Sequence, residues 1–586
     1  MDMKNKILLG GCLFALVLAS SCEKQMNYNE YNIYDKDYIT LNFNNVGGFL
    51  TDIYNAVEYD YGNFSAGAML SSATDESEYS IMGNAIEDYY NGGWSPTNAK
   101  GTTWTNMYAG IAACNEYLTE MLGLTFDELK LNQDYLQQMH RYENYQYEVR
   151  FLRAYFYFTL VRQYGGVPIV GENMTPEEIN VLSRSSSDEV FKYVIDECNA
   201  IKDLIIKDYS DLGDYALSTE ETGRANNLAV LALRARAALY WASPLFNEAN
   251  DTERWHTAAT YYKELIDACT ERGMGLCSNY ADLWSTQNYY DASITKEIIF
   301  GRRYYSSATG DGSNGDRYVE TNNYPVGIEG GSGGNCPTQN LVDAYDMKAT
   351  GLGINEPGSG YDPANPYEGR DPRFAMTVAY NGCQWPTYSE APLLQTYVGG
   401  VNGQPLSGAT TTGYYLRKLC HGEISLAATG SVLRNPHTYV IFRLGGAYLD
   451  YAEALFRWLG SADVSNGEFP MSARQALNMT RTRPGVEMPE FPAGMSNDEF
   501  WEKYKKERMV ELAFEGHRFW DVRRWKEADK YFTSIERMTV TRNDDGTFNY
   551  ERESVSRNWD DKMYLYPIPQ TERMKNGNLS QNPGWN

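Results

Sequence analysis

The stretch from Asn226 to Phe246, NNLAVLALRARAALYWASPLF, sets the tightest limit on what this chain can become. Its alanines at 229, 232, 235, 238 and 242 recur every three or four residues, the spacing that lays one stripe along an α-helix. Small side chains on a stripe let a second helix approach closely, so the segment is predicted to lie between other helices. Helical periodicity of this kind returns at roughly 44–59, 104–122, 142–164, 187–206, 255–271, 443–459, 471–482 and 497–525. Consecutive blocks are joined by short polar connections, as 226–246 is joined to the block that opens at His256. The expected fold class is mostly α: a body of helix hairpins similar to tetratricopeptide pairs, irregular in spacing.

Two stretches depart from this texture. Residues 62–103 and about 280–440 are rich in Gly, Asn, Ser, Tyr and Pro, with short strand candidates such as 297–305 and no long helix. Loops of this length within a compact protein usually carry its function. They are read as ligand-binding insertions on the helical body.

The N-terminus addresses location. Two lysines precede an apolar run from Ile7 to Leu18, too short to span a bilayer, and Ala19-Ser20-Ser21 lead into Cys22. This is the pattern of a bacterial lipoprotein leader, cut before a cysteine that is then acylated at more than one position, which gives stable anchoring. The expected organisation is a leader over 1–21, a lipidated N-terminus and tether over 22–40, and one domain over 41–586. Seven cysteines remain, and without a CxxC pair they predict neither a disulfide framework nor a zinc site.

Net charge bounds the partners. At −26 the chain would repel phosphate backbones, so nucleic acid is not an expected partner. No two of the five histidines (140, 256, 421, 437 and 517) share the i, i+4 spacing of a helical metal site, so no metal centre is predicted. Neither a Walker loop nor a GxGxxG that opens a helix after a strand occurs, and Gly330–Gly334, followed by Asn-Cys-Pro, reads as loop. A glycosidase needs only two carboxylates facing across a cleft. Asp343 and Asp346 stay open for that role; Asp75 and Glu76, adjacent on an extended loop, would point to opposite faces and suit it poorly.

The densest run of charge is 511–525, ELAFEGHRFWDVRRW. On one helix Glu511, Glu515 and Arg518 fall at i, i+4 and i+7 beside a stripe of Leu512, Phe519 and Val522. Charge set against large aromatics must be paired, and Arg508, Arg518, Arg523 and Arg524 offer planar forks for carboxylates. Lacking a nucleophile, the run is read as architecture: Glu511, Glu515, Arg518 and Asp521 tie the last long helix into the body, with His517 packed beside them.

Extended back to Glu507, this run resembles the C-terminal hallmark of the SusD/RagB family of nutrient-binding outer-membrane lipoproteins. Further strings agree, in the family's order: EVRFLRAYFYF at 148–158, YGGVP at 164–168, RDPRF at 370–374, YYLRK at 414–418, Arg443 with YLDYAEA at 448–454, YPIP at 566–569 and NPGW at 582–585. The resemblance implies a tetratricopeptide-like body whose irregular loops form a shallow glycan site. It also implies a surface-exposed lipoprotein that hands oligosaccharides, or peptides in the RagB branch, to a SusC-like TonB-dependent transporter without catalysis.

A glycan site needs flat aromatic faces and in-plane hydroxyl partners. The first loop offers Trp94, Tyr89 and Tyr90 with Asp75 and Asn98, and the second offers Tyr304, Tyr305, Arg317 and Tyr324. By resemblance, Trp94 with Asn98 is the leading pair. Three rivals stand beside a glycan binder: a peptide binder, a glycosidase, and an adaptor that binds only proteins.

Overall fold

The computed structural model describes residues 36–62, 64–101, 103–213, 223–285, 291–304, 318–388, 391–427 and 437–585. The leader, Cys22 and the tether up to residue 35 lie outside the described residues, as do Tyr305 and Arg317.

Ten helices longer than six residues are described: α1 (Phe43–Tyr54), α2 (Thr103–Glu120), α3 (Tyr135–Tyr164), α4 (Ser187–Ile201), α5 (Asn227–Ala242), α6 (Glu253–Glu271), α7 (Leu444–Leu459), α8 (Ala473–Arg481), α9 (Asn497–Glu511) and α10 (Arg518–Arg524). From α2 to α8 each helix packs on the next, which makes a stack of hairpins as the periodicity predicts. Local chemistry sets the ends. Asn226 caps α5 by accepting from the backbone N–H groups of Leu228 and Ala229. Ser186 and Glu189 close a capping box on α4. The alanine stripe of α5 is buried throughout, with Ala229, Ala232, Ala235, Ala238 and Ala242 all in the core. On α2, Gly110 serves the same close approach, since a Cβ there would lie 2.6 Å from the Phe156 ring on α3.

The longer loop-rich stretch enters between α6 and α7, so the helix stack is interrupted once and then resumes. It has its own hydrophobic core, built around Tyr280, Tyr324, Leu341, Tyr345, Phe374 and Tyr414 and shared with Met69 of the first loop and with Tyr61 just before it. Its strands are short. β1 (Ser77–Tyr79) pairs with β3 (Asn335–Pro337), β2 (Ile298–Tyr304) with β6 (His437–Arg443), and β4 (Val378–Ala379) with β5 (Tyr415–Leu416), all antiparallel. A longer hairpin, β7 (Ser534–Arg542) with β8 (Phe548–Ser556), follows α10. It turns at Asp545-Gly546, a hairpin signal that the helical reading of the C-terminal half passes over.

The structure corrects the sequence reading at 497–525. Periodicity predicts one helix there, but the chain stops at Glu511, turns, and restarts at Arg518. Phe514 (φ 60°) and Gly516 (φ 74°) take left-handed conformations in that turn. A Cβ on Gly516 would lie 2.8 Å from the Tyr439 hydroxyl, so the turn needs glycine both for its φ and for the neighbour. The charges of the run therefore converge through a turn and not along one helical face.

That convergence fills the seam between the two cores with buried ions. Arg443 reaches Glu511 (2.8 Å), Glu297 (2.9 Å) and Glu515 (2.7 Å). Arg373 reaches Glu507 (2.6 Å), Glu511 (2.8 Å) and Asp371 (2.8 Å), and Arg483 pairs with Glu511 (2.9 Å) and Glu297. Arg508 joins Asp450 to Asp521, while Arg524 joins Asp521 to Glu453. Burial alone would raise the Glu511 carboxyl; the guanidinium groups of Arg443, Arg483 and Arg373 outweigh it and hold it down at about 2. Four of the strings that carry the family resemblance supply this lattice: 370–374, 414–418 through Lys418, which pairs with Glu515 at 2.8 Å, Arg443 with 448–454, and 507–525.

Candidate functional site

Four of the nine loop residues singled out from the sequence, Trp94, Tyr89, Asp75 and Tyr324, are packed inside the protein, which corrects the expectation of an open aromatic surface. Trp94 is 3% exposed, with its ring edge-on to Tyr89 (4.7 Å), Tyr566 (4.5 Å) and Trp585 (5.1 Å). The physical reason is the company it keeps: the aromatic YPIP and NPGW segments fold back over the first loop and cover both its large rings. Tyr89 is equally buried and bonded through its hydroxyl to that of Tyr566 at 2.8 Å. Asp75 is buried in a bidentate pair with Arg518, and Tyr324 donates its hydroxyl to the His421 carbonyl at 2.6 Å. Neither offers a surface to a sugar.

Two candidates remain at the surface. Tyr90 is half-buried, with the Arg557 guanidinium 4.2 Å over its ring. Asn98 is exposed, and its amide donates to Asp88 (3.0 Å) and to the Gly93 carbonyl (2.8 Å). Tyr304 ends β2 opposite His437. Asp343 pairs with Arg552 (2.6 Å), and Asp346 with Arg481 (3.0 Å) and Lys506 (2.9 Å). Both acids of the candidate catalytic pair are thus engaged by cations.

The larger opening lies where both loop stretches meet the helix stack. A cleft of about 630 Å³ runs between α1, α2, α3, the segment 55–60, β2, β6 and the turn before α10. Phe64 and Gly101 come to it from the first loop, and Arg302 and Tyr439 from the second. Its wall alternates flat apolar faces with charge. Arg302 lies 4.4 Å over the Tyr59 ring and donates to the carbonyls of Asn55 and Val57. Arg162 lies 4.3 Å over Trp520 and 3.8 Å from Glu58, which also accepts from the Thr103 hydroxyl at 2.8 Å. The buried Nε of Arg162 has no acceptor among the described residues.

Titration in the cleft is displaced in both directions. Burial pushes the Asp60 carboxyl up to about 6, despite the backbone N–H groups of Leu70 and Gly62 that it accepts from. Burial also raises Glu58, against the pull of Arg162. His517, expected to pack away, opens on this cleft, where burial and the cations Arg236, Arg508, Arg443 and Arg162 hold it neutral. The buried aromatics of the first loop now have a place: Tyr89 backs Phe64 at 5.9 Å, and Tyr566 stacks at 6.0 Å on Trp520. Trp94 and Tyr89 brace the cleft wall from behind. Sequence reasoning misses the cleft because its walls come from many separate segments, most of them helical faces that read as ordinary core.

A family model described as the SusD family matches residues 296–585, and one described as starch-binding and associating with the outer membrane matches 22–239. The chain is 24% identical to SusD-like protein P25 of Formosa agariphila over 388 residues, 64% of this chain and 63% of that relative. It is 24% identical to the starch-binding protein SusD of Bacteroides thetaiotaomicron over 511 residues, 84% of this chain and 80% of that one. In three dimensions it is similar to a SusD-like protein from Bacteroides fragilis, with a TM-score of 0.74 at 25% identity over 94% of this chain and 98% of the other.

Proposed function

The chain belongs to the SusD family, and from that premise we propose that it binds an oligosaccharide in the cleft beside Tyr59 and Arg162 and releases it unchanged. The observation that carries this reading is the composition of the cleft wall. Aromatic rings and half-buried carboxylate and guanidinium groups alternate there, in a volume within the roughly 300–1,000 Å³ usual for small-ligand sites. Flat rings cover the apolar faces of sugars, while Glu58, Asp60 and the Nε of Arg162 suit hydroxyl groups that can both donate and accept. Tyr90 and Asn98 stay candidates from the first loop, and Tyr304, Tyr305 and Arg317, which follow Arg302 in the chain, from the second. The family description and the lipoprotein leader support a place at the outer membrane, anchored through acylated Cys22, with delivery to a SusC-like TonB-dependent transporter for uptake.

Calorimetry against a glycan panel tests the site. Tyr59→Ala is expected to weaken the best ligand about tenfold, roughly 1.4 kcal/mol, and Asn98→Ala to weaken it less. Because Asp60 ionises near pH 6, a hydroxyl donating to it is held more tightly above that pH than below. Chromatography of the incubated glycan is expected to show no shorter product. Binding of peptides and of no glycan, or glycan binding indifferent to both Tyr59→Ala and Arg302→Ala, would overturn the reading.

A further inference from the structure

In the seam nearly every buried carboxylate meets a guanidinium or an ammonium group, but the second core holds one that does not. Glu320, on the short helix Tyr318–Asn323, is fully buried, and among the described residues neither arginine nor lysine pairs with it. Its neighbours are imidazoles. Its carboxylate lies 3.2 Å from Nε2 of His437 and accepts the backbone N–H of His421 at 2.8 Å. The two histidines are 2% and 3% exposed, and their rings stack at 4.2 Å with an angle of 18°. One ligand atom from each of Glu320, His421 and His437 lies within 4.8 Å of the other two.

From this geometry we propose that Glu320, His421 and His437 form a site for a divalent transition metal, Zn²⁺ in the first instance. Two imidazoles and one carboxylate are a common protein ligand set for zinc. The outer contact of His421 fits as well. Its Nε2 lies 2.8 Å from the Trp284 carbonyl, which can only accept, so that nitrogen carries a proton and Nδ1 is the atom this ring would offer to a metal. Histidines that bind metals regularly donate their other ring N–H in this way. A dication also suits the buried carboxylate, whose charge among the described residues is otherwise met by the two imidazoles and not by a guanidinium or ammonium group.

Zn–N bonds of about 2.0–2.1 Å put tetrahedral ligand atoms about 3.4 Å apart, so the set, now within 4.8 Å, closes by at most about 1.4 Å when one imidazole turns out of the stack. The ion would clamp three parts of the second core that sequence holds far apart: the helix at 318–323, the turn after Leu419 and the first residue of β6. Spacing along the chain could not show this, since none of the three ligands shares a helix with another.

The test uses the whole mature protein, stripped with a chelator and dialysed. Titration with ZnCl₂ is expected to show one ion per chain, and CoCl₂ to give the visible d–d absorption of a histidine-ligated site. At a hundredfold excess of ion over Kd the melting temperature is expected to rise by about 2 °C for a chain of this length. Glu320→Gln and His437→Gln should each weaken binding at least tenfold, while His256→Gln, remote beside Glu468, leaves it unchanged. No stoichiometric ion in the unmutated protein, or full affinity in both site variants, overturns the proposal. The cobalt spectrum and ion count of the unmutated protein decide it even where a variant fails to fold.

Discussion

The helix stack and the seam beside it are equally buried and are held by opposite means. In the stack, α5 meets α4 and α6 mainly through alanine, leucine and aromatic side chains, each adding a small increment of apolar burial, and one buried cation, Arg234, bridges Asn199 of α4 and Glu264 of α6. In the seam, carboxylates and guanidinium groups interlock through shared ion pairs, and Glu511 alone serves three arginines. The difference lies in tolerance. Trimming an apolar side chain in the stack leaves a gap, whereas removing an ion from the seam leaves its partners charged and dry.

The largest expected effect follows from that contrast. Glu511→Gln keeps the shape and removes the charge that Arg373, Arg443 and Arg483 share, and it is expected to cost about 3–5 kcal/mol in chemical denaturation. A cost no greater than that of a surface substitution would show that the seam is held by packing and not by charge. Gly110→Ala probes the stack in the other direction, by overfilling it. The new methyl group meets the buried Phe156 ring, and about 1–3 kcal/mol of destabilisation is expected. Equal costs for both substitutions would erase the distinction between the regions.

A third experiment separates them by pH. Glu76 is buried at the edge of the seam, accepting from the Phe514 backbone N–H at 3.0 Å without an ion pair among the described residues, and burial pushes its carboxyl up to about 8. The unfolded chain releases that proton near its ordinary value, so between the two the folded state binds more protons. Its stability contribution is complete at low pH and is lost as pH rises through about 8, at up to about 1.4 kcal/mol per pH unit. Glu76→Gln, always neutral, is expected to remove that slope.

The same contrast explains what could be read from the sequence. The stack is legible because its signal is local: the alanines of α5 and the Ser186–Glu189 box specify a helix and its buried face within a few residues. The seam is legible only as density of charge. The run at 507–525 announces that carboxylates and arginines will be paired, but the partners Glu297, Arg373, Arg443 and Arg483 lie far from it in sequence, and spacing cannot pair them. The helical register of Glu511, Glu515 and Arg518 fails beyond Glu511, where the chain turns through Phe514 and Gly516 against a tertiary neighbour, Tyr439. The cleft is least legible, since Tyr59, Arg162 and His517 each look ordinary in their own segment. Trp94 misleads for the converse reason: an aromatic residue in a glycine-rich loop resembles a platform until the C-terminal segments are known to cover it.

The smallest expected effect marks where the comparison ends. Arg552 on β8 pairs with Asp343 through two hydrogen bonds of 2.6 and 2.9 Å, a geometry as good as any in the seam. Its side chain is 41% exposed and that of Asp343 is 23% exposed, so water competes for both charges. Arg552→Ala is therefore expected to cost less than about 1 kcal/mol, and less again in high salt. A cost matching that of Glu511→Gln would mean that pair geometry, and not the dryness of its surroundings, sets the strength of the seam. The expected gap between these two substitutions thus measures how much of the lattice's contribution comes from burial.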